Sequence, residues 1–357
     1  MSLLLMSIKK ILSPVASNIN LAILFLFVYM SSALSDNVKY FPNDNGILSL
    51  MYHRFDENKY PSTNIRMEIF KEQIQFISNS KYSFYNPKDI IKDFYQEKSE
   101  KKILLTIDDG FLSFYENAWP YLKQNKIPFI LFVSTEPVGK KGYMSWEQIL
   151  EIEKEPFVFI GHHSHTHEYL INFSKENFIK DIELADKIFL EKMGYIPEFF
   201  SYPFGEYDLF MRDYISKNFS IAFGQHSGVI DVSKDIFELP RFPINENYGE
   251  LSRFKSIIKL YPLPYKNISP KEKKIINSNN PPDLKVEFFD NQKNIENINC
   301  FSNDGGNWKK SDLQIKNNVM KINLKEKFIP RRGRINCSLN DNGKWRWFGI
   351  QYTLKLD

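Results

Sequence analysis

Cysteine is nearly absent: Cys300 and Cys337 are the only two, too few for a disulfide scaffold or an all-thiolate zinc site. An excess of one charge is missing too. Lys and Arg total 47 against 43 Asp and Glu, and the resulting +4 over 357 residues does not mark a nucleic-acid binder. The N-terminal apolar run, Leu21 to Met30, is half of the ~20 residues that a membrane-spanning helix needs. With 15 glycines and 18 prolines, collagen-like and low-complexity classes are excluded. What is present is an apolar and aromatic complement large enough for a packed core. The length exceeds what a single core holds, which predicts one catalytic-sized domain and a smaller module. Any catalytic metal must rest mainly on His and carboxylate.

Residues 1–35 read as a secretory signal, with Lys9 and Lys10, the apolar run, then Ser31-Ser32-Ala33. Export makes Cys300 and Cys337 expected disulfide partners. From 36 to 264, apolar strands such as Ile47 to Tyr52, Lys102 to Ile107 and Pro128 to Val133 alternate with helical patterns. The clearest helix is Ser174 to Met193, stopped by Gly194. This alternation predicts a parallel α/β barrel or doubly wound sheet, whose chemistry sits where strands end. Residues 265–283, rich in Asn, Ser, Lys and Pro, read as a linker, and 284–357 as a small all-β module. That module carries 14 basic against 8 acidic residues, so the basic excess lies in the tail.

Four of the six histidines fall in Gly161-His162-His163-Ser164-His165-Thr166-His167, directly after a strand. Imidazole is the commonest neutral ligand for borderline metals, and a loop leaving a strand turns two rings toward one point. Leu105-Thr106-Ile107-Asp108-Asp109-Gly110 ends another strand in paired carboxylates. Two His and one carboxylate leave coordination positions open, which marks a catalytic site and frees the second Asp as a base.

These residues resemble the polysaccharide deacetylases, the NodB-homology carbohydrate esterases, over about residues 46–262. The family's Thr-Phe-Asp-Asp-Gly stands as Thr106-Ile107-Asp108-Asp109-Gly110, its His-Ser/Thr-x-x-His as His163-Ser164-His165-Thr166-His167, and its Arg-x-Pro-Tyr as Ser201-Tyr202-Pro203-Phe204. The resemblance implies a distorted (β/α) barrel, a divalent ion on Asp109, His163 and His167, Asp108 as general base and the Phe204 N–H as oxyanion donor. The ion implied is zinc, although Co, Ni or Mn suits the same ligands. Ser201 replaces the Arg that steers the base, and Arg241 from a later strand end is the candidate replacement. The family's late Leu-x-x-His is missing. His53 in Met51-Tyr52-His53-Arg54 is the first candidate for general acid, as in the branch that deacetylates poly-N-acetylglucosamine, and His226 is its rival.

The reading is therefore an exported, metal-dependent N-deacetylase of an N-acetylated glycan, with no nucleic-acid partner. The basic module is a candidate for cell-envelope association, and Arg331-Arg332-Gly333-Arg334 reads by default as a solvated turn. Trp308, Trp345 and Trp347 are either core or a glycan platform, as are Trp146, Tyr202 and Tyr207. Two rival classes stand beside the enzyme: a non-catalytic glycan binder on this fold, and a non-haem iron oxygenase, which shares the two-His, one-carboxylate set.

Overall fold

Strands covered on both faces read as continuous apolar runs, and Ile47–Tyr52, Lys102–Ile107, Phe129–Val133 and Val158–His162 have that character. The computed structural model describes residues 41–355. The strands form one curled parallel sheet, a half-barrel, in the order Phe242–Pro243, Ile47–Tyr52, Lys102–Ile107, Phe129–Val133, Val158–His162, Phe199–Ser201, Ile221–Phe223. A short strand, Ser83–Phe84, also pairs with Lys102–Ile107. The curl nearly returns on itself, since Phe223 bridges to Leu239 just before the Phe242–Pro243 strand.

Helices pack around this sheet. Lys175–Met193 starts where the Ser174 hydroxyl accepts from the Asn177 N–H, and ends at Gly194 in the left-handed conformation. Its Phe178, Ile182, Ala185 and Phe189 are buried, the helical spacing expected from the sequence. Trp146, partly buried edge-on to Phe189, and the stacked, buried pair Tyr202 and Tyr207 all belong to the packing.

Two antiparallel-rich sheets follow. One is built on the long hairpin Arg332–Asp341 and Lys344–Leu354; the other runs Asn267–Ser269, Leu284–Glu287, Val319–Asn323, Asp312–Lys316. They enclose their own core of Leu284, Val286, Met320, Ile322, Ile335 and Ile350. Cys300 and Cys337 lie directly opposite on paired strands and are joined as a disulfide.

The stretch 265–283 is not a free linker. Asn267–Ser269 pairs with Leu284–Glu287, and Lys274–Ile275 pairs with Lys344–Leu354. Tyr261–Pro262 also pairs with Arg346 and Trp347, and residues 41–355 fall in one compact unit. Strands of two or three residues are too short to show periodicity, so their composition alone suggested a linker. The contact with the half-barrel is close at Gly349, where a Cβ would lie 2.5 Å from the Ser227 carbonyl oxygen. The expected signal at 1–35 lies outside the described residues. Among those that are described, no helix is long and apolar enough to cross a membrane.

Candidate active site

Parallel strands bring their C-terminal ends to one edge of the sheet, so His53, Asp108, Asp109, His163, Ser201 and Arg241 converge although they span 189 positions. The Asp108 N–H donates to the Tyr52 carbonyl, and the His163 N–H to that of Val133, each bond tying a loop to its neighbouring strand. The His163 Nδ1 is 2.7 Å from the Ser201 carbonyl oxygen, which leaves Nε2 turned inward.

Asp109, His163 and His167 each present one ligand atom, all within 4.8 Å of one another. Asp109 Oδ1 lies 3.2 Å from His163 Nε2 and 3.0 Å from His167 Nε2. Both Asp109 Oδ1 and His163 Nε2 are buried without a hydrogen-bond partner. Buried polar atoms without partners are costly, so three lone pairs aimed at one point fit a cation. Backbone strain concentrates here as well. Asp109 (φ 75°), Ser164 (69°), His167 (55°) and Phe204 (59°) all adopt the left-handed conformation that L-residues avoid.

Beside this cluster, Arg241 grips Asp108 with both arms, Nη1 to Oδ1 at 2.6 Å and Nη2 to Oδ2 at 2.8 Å. The guanidinium is itself held by Thr106, Ser201 and the Gly224 carbonyl. Burial pushes the Asp108 carboxyl up, but Arg241, His163 and His53 outweigh it and hold the group below its usual range. His53 Nε2 stands 3.9 Å from Asp108 Oδ2. Burial lowers its pKa against the pull of Asp109 and Asp108.

The other histidines do different work. His162 is buried among Phe189, Phe200 and Phe219, accepts from the Ser164 N–H and faces Asp186 at 3.3 Å. His165 Nδ1 meets the Thr135 hydroxyl. His226 is not one of the cluster ligands; its carbonyl accepts from the Arg241 N–H and it lines a cavity with Trp308 and Trp347, while burial, then Lys273, Lys234 and Arg241, push its pKa down to about 3.

Several contributors left no trace as motifs. Asp181, on the 175–193 helix, accepts from the N–H groups of His165 and Thr166 and from the Thr166 hydroxyl, and so shapes the histidine loop. The Phe204 loop is held from the C-terminal sheets. Gln351 Nε2 donates to the carbonyls of Phe204 (3.3 Å) and Gly205 (3.0 Å). Glu206, next along, is buried and receives Arg331 and Arg332. These two arginines are ion-paired, not a solvated turn. Gly205 is required here: its φ is +66°, and a Cβ would lie 2.6 Å from the Gln225 nitrogen. The Phe204 ring stacks on Tyr169 and meets His167 edge-on at 4.7 Å. Gln351, Arg331 and Arg332 reach this loop from 125 or more positions away, and Asp181 reaches the histidine loop from the following helix, so short motifs carry no signal for these pairings.

The sequence profile of the polysaccharide deacetylase family matches residues 95–218, the segment that holds both the Asp pair and the histidine loop. That segment is similar to a polysaccharide deacetylase domain. A putative polysaccharide deacetylase of Bacillus subtilis is 26% identical over 161 residues, 44% of this chain and 57% of that protein. The poly-beta-1,6-N-acetyl-D-glucosamine N-deacetylase of Staphylococcus aureus is 24% identical over 192 residues, 49% of this chain and 65% of its own length. The matches thus span less than two thirds of these curated relatives. Among solved structures, IcaB from Ammonifex degensii superposes with a TM-score of 0.54 at 26% identity, covering 60% of this chain and 97% of that one. The Streptococcus pyogenes deacetylase PplD, in complex with acetate, gives 0.54 at 19% identity, with 60% and 98% covered, and shows the shared deacetylase fold.

Proposed function

We propose that this chain is a metal-dependent hydrolase that removes acetyl groups from N-acetylhexosamine units of a glycan, releasing acetate. The observation that carries the reading is the buried, partnerless ligand set of Asp109 and His163, completed by His167, lying against an Asp108 kept charged by Arg241. A divalent ion held by those three residues, zinc first among the borderline metals, supplies Lewis acidity toward the acetyl carbonyl and lowers the pKa of water. Asp108 accepts the proton of the attacking water, and Arg241 fixes both carboxylate oxygens so that one edge faces the site. The Phe204 N–H serves the developing oxyanion from a loop that Gln351 and Glu206 hold in place. His53 delivers a proton to the departing amine. Arg241 in this role answers the missing motif arginine at Ser201, whose small hydroxyl accepts from Arg241 Nη2.

A glycan that contains N-acetylglucosamine units is the proposed substrate class, acted on outside the cytoplasm. Neither rival class gains support from a specific observation. The iron oxygenase reading leaves the Asp108–Arg241 pair without a task, and a pure binding protein has no use for a strained, charged site. Acetate release from N-acetylglucosamine oligomers, measured with and without chelator, tests the proposal. Release that stops with chelator and returns with added zinc is expected; no release with any divalent metal rejects it.

A further inference from the structure

Next to the site lies a surface with a cavity whose residues have no role in the proposed deacetylation. On the Arg332–Asp341 strand, side chains two residues apart share a face, which aligns Arg332, Arg334 and Asn336. Arg332 lies over the Phe204 ring, 5.3 Å from its centroid. Arg334 and Asn336 line a cavity of about 230 Å³ whose other walls include Tyr248, Arg253, Trp308 and His226. One strand face therefore leads from the Phe204 edge of the metal-ligand cluster into this cavity. Its volume falls below that of pockets for drug-sized ligands and suits a single monosaccharide unit.

Two features specify the ligand. Trp308 and Tyr248 are 50% and 41% exposed, large aromatic faces left open to solvent beside the cavity, where the C–H face of a pyranose can stack. The second feature is unbalanced charge. Arg253 and Arg334 are half-buried, and among the described residues no carboxylate lies within ion-pairing distance of either. Both are nevertheless oriented, Arg334 Nε by the Gln351 side-chain oxygen at 3.2 Å and Arg253 Nη1 by the Tyr248 carbonyl at 2.5 Å. The nearby acid, Glu206, is engaged by Arg331 and Arg332. His226 in the wall, its pKa pushed down by burial and by Lys273, Lys234 and Arg241, adds no further positive charge. Oriented guanidiniums in a half-buried site favour bidentate pairing with a carboxylate or a phosphate.

We propose that this cavity binds an anionic saccharide unit, a pyranose bearing a carboxylate or a phosphate ester, within the same glycan whose acetamido group reaches Asp109, His163 and His167. The identity of that glycan as substrate rests on the deacetylase reading; the binding itself does not. The test is calorimetry at low salt with three tetrasaccharides: neutral N-acetylglucosamine tetramer, the same tetramer phosphorylated at O6, and a fragment alternating glucuronic acid with N-acetylglucosamine. At least one acidic ligand should bind roughly tenfold or more tighter than the neutral one, and the preference should shrink as salt rises. The tighter of the two acidic ligands names the anionic group. Arg334→Gln should abolish the preference, and Trp308→Ala should weaken all three ligands. Should Arg334→Gln fail to fold, Arg253→Gln carries the same test. Equal affinity for neutral and acidic ligands, or a preference that survives both arginine changes, overturns the proposal. Because binding is read without turnover, acidic preference with no acetate release sinks the deacetylase reading alone, and acetate release with equal affinities sinks this one alone.

Discussion

Asp108 in the half-barrel meets its arginine from within the same sheet, whereas Arg331 and Arg332 of the C-terminal sheets cross over to Glu206 of the half-barrel. The half-barrel thus contains the charges of the proposed site, and the C-terminal sheets brace the loop beside them. A region with its own core and disulfide would ordinarily be an accessory. Here its Gln351 and two arginines reach the residues flanking Phe204, so the oxyanion side of the proposed site is assembled from both regions. The linker reading would have made the tail dispensable for short substrates; the pairing of 261–275 with the tail sheets predicts equal loss on short and long ones.

The largest effect is expected at Glu206. Replacing it by Ala leaves two partly buried guanidiniums unpaired, and unfolding measurements should show a loss of about 3–5 kcal/mol. An effect below ~1 kcal/mol, the scale of a surface pair, would mean that the two regions are only loosely joined. Next in size is the disulfide. Its 37-residue separation predicts roughly 3–4 kcal/mol in the chain-entropy model, so reduction should loosen the C-terminal sheets before the half-barrel. Hydrogen exchange under reducing conditions resolves the order, and earlier loss in the half-barrel would reverse it.

Gln351→Ala tests the bracing of the Phe204 loop through turnover. Removing a neutral side chain that holds two carbonyls should cost about 1–3 kcal/mol at the Phe204 loop. If the loop serves the transition state, kcat should fall about tenfold or more with KM nearly unchanged; a rise in KM alone would assign Gln351 to substrate binding.

How much of this was legible depends on where each interaction lives. Asp108, Asp109, His163 and His167 are local to two strand ends, and the proposed metal chemistry needs those residue types at close spacing, so short motifs expose them. Arg241 was readable only as a candidate, because its partner stands 133 positions away and Ser201 gives room for it without naming it. Gln351 carries no local signature at all, and Glu206, although it closes the Ser201 to Glu206 stretch, does not name its two arginine partners. The strands at 267–269 and 274–275 were hidden for a different reason: they are so short that Asn, Ser and Pro dominate their surroundings.

The smallest effect on turnover is expected at His226. Its folded pKa of about 3 lies below the unfolded value near 6.5, so the unfolded chain binds the extra proton between those limits. Stability from this group is complete above pH ~6.5 and is lost as pH falls toward 3, with a slope of up to one proton. His226→Gln should flatten that part of the stability profile while changing kcat less than about threefold. A loss of roughly 10²-fold or more would instead make it the general acid in place of His53.

The central claim is that Asp108 does the proton transfer while Asp109, His163 and His167 hold the ion. It is tested most directly by measuring metal content and acetate release on the same preparation of Asp108→Asn. The account predicts full metal occupancy with turnover down by roughly 10²–10⁴-fold, since the amide keeps the shape but cannot take the proton. Turnover within a few-fold of the native protein, or loss of the metal along with activity, would contradict it.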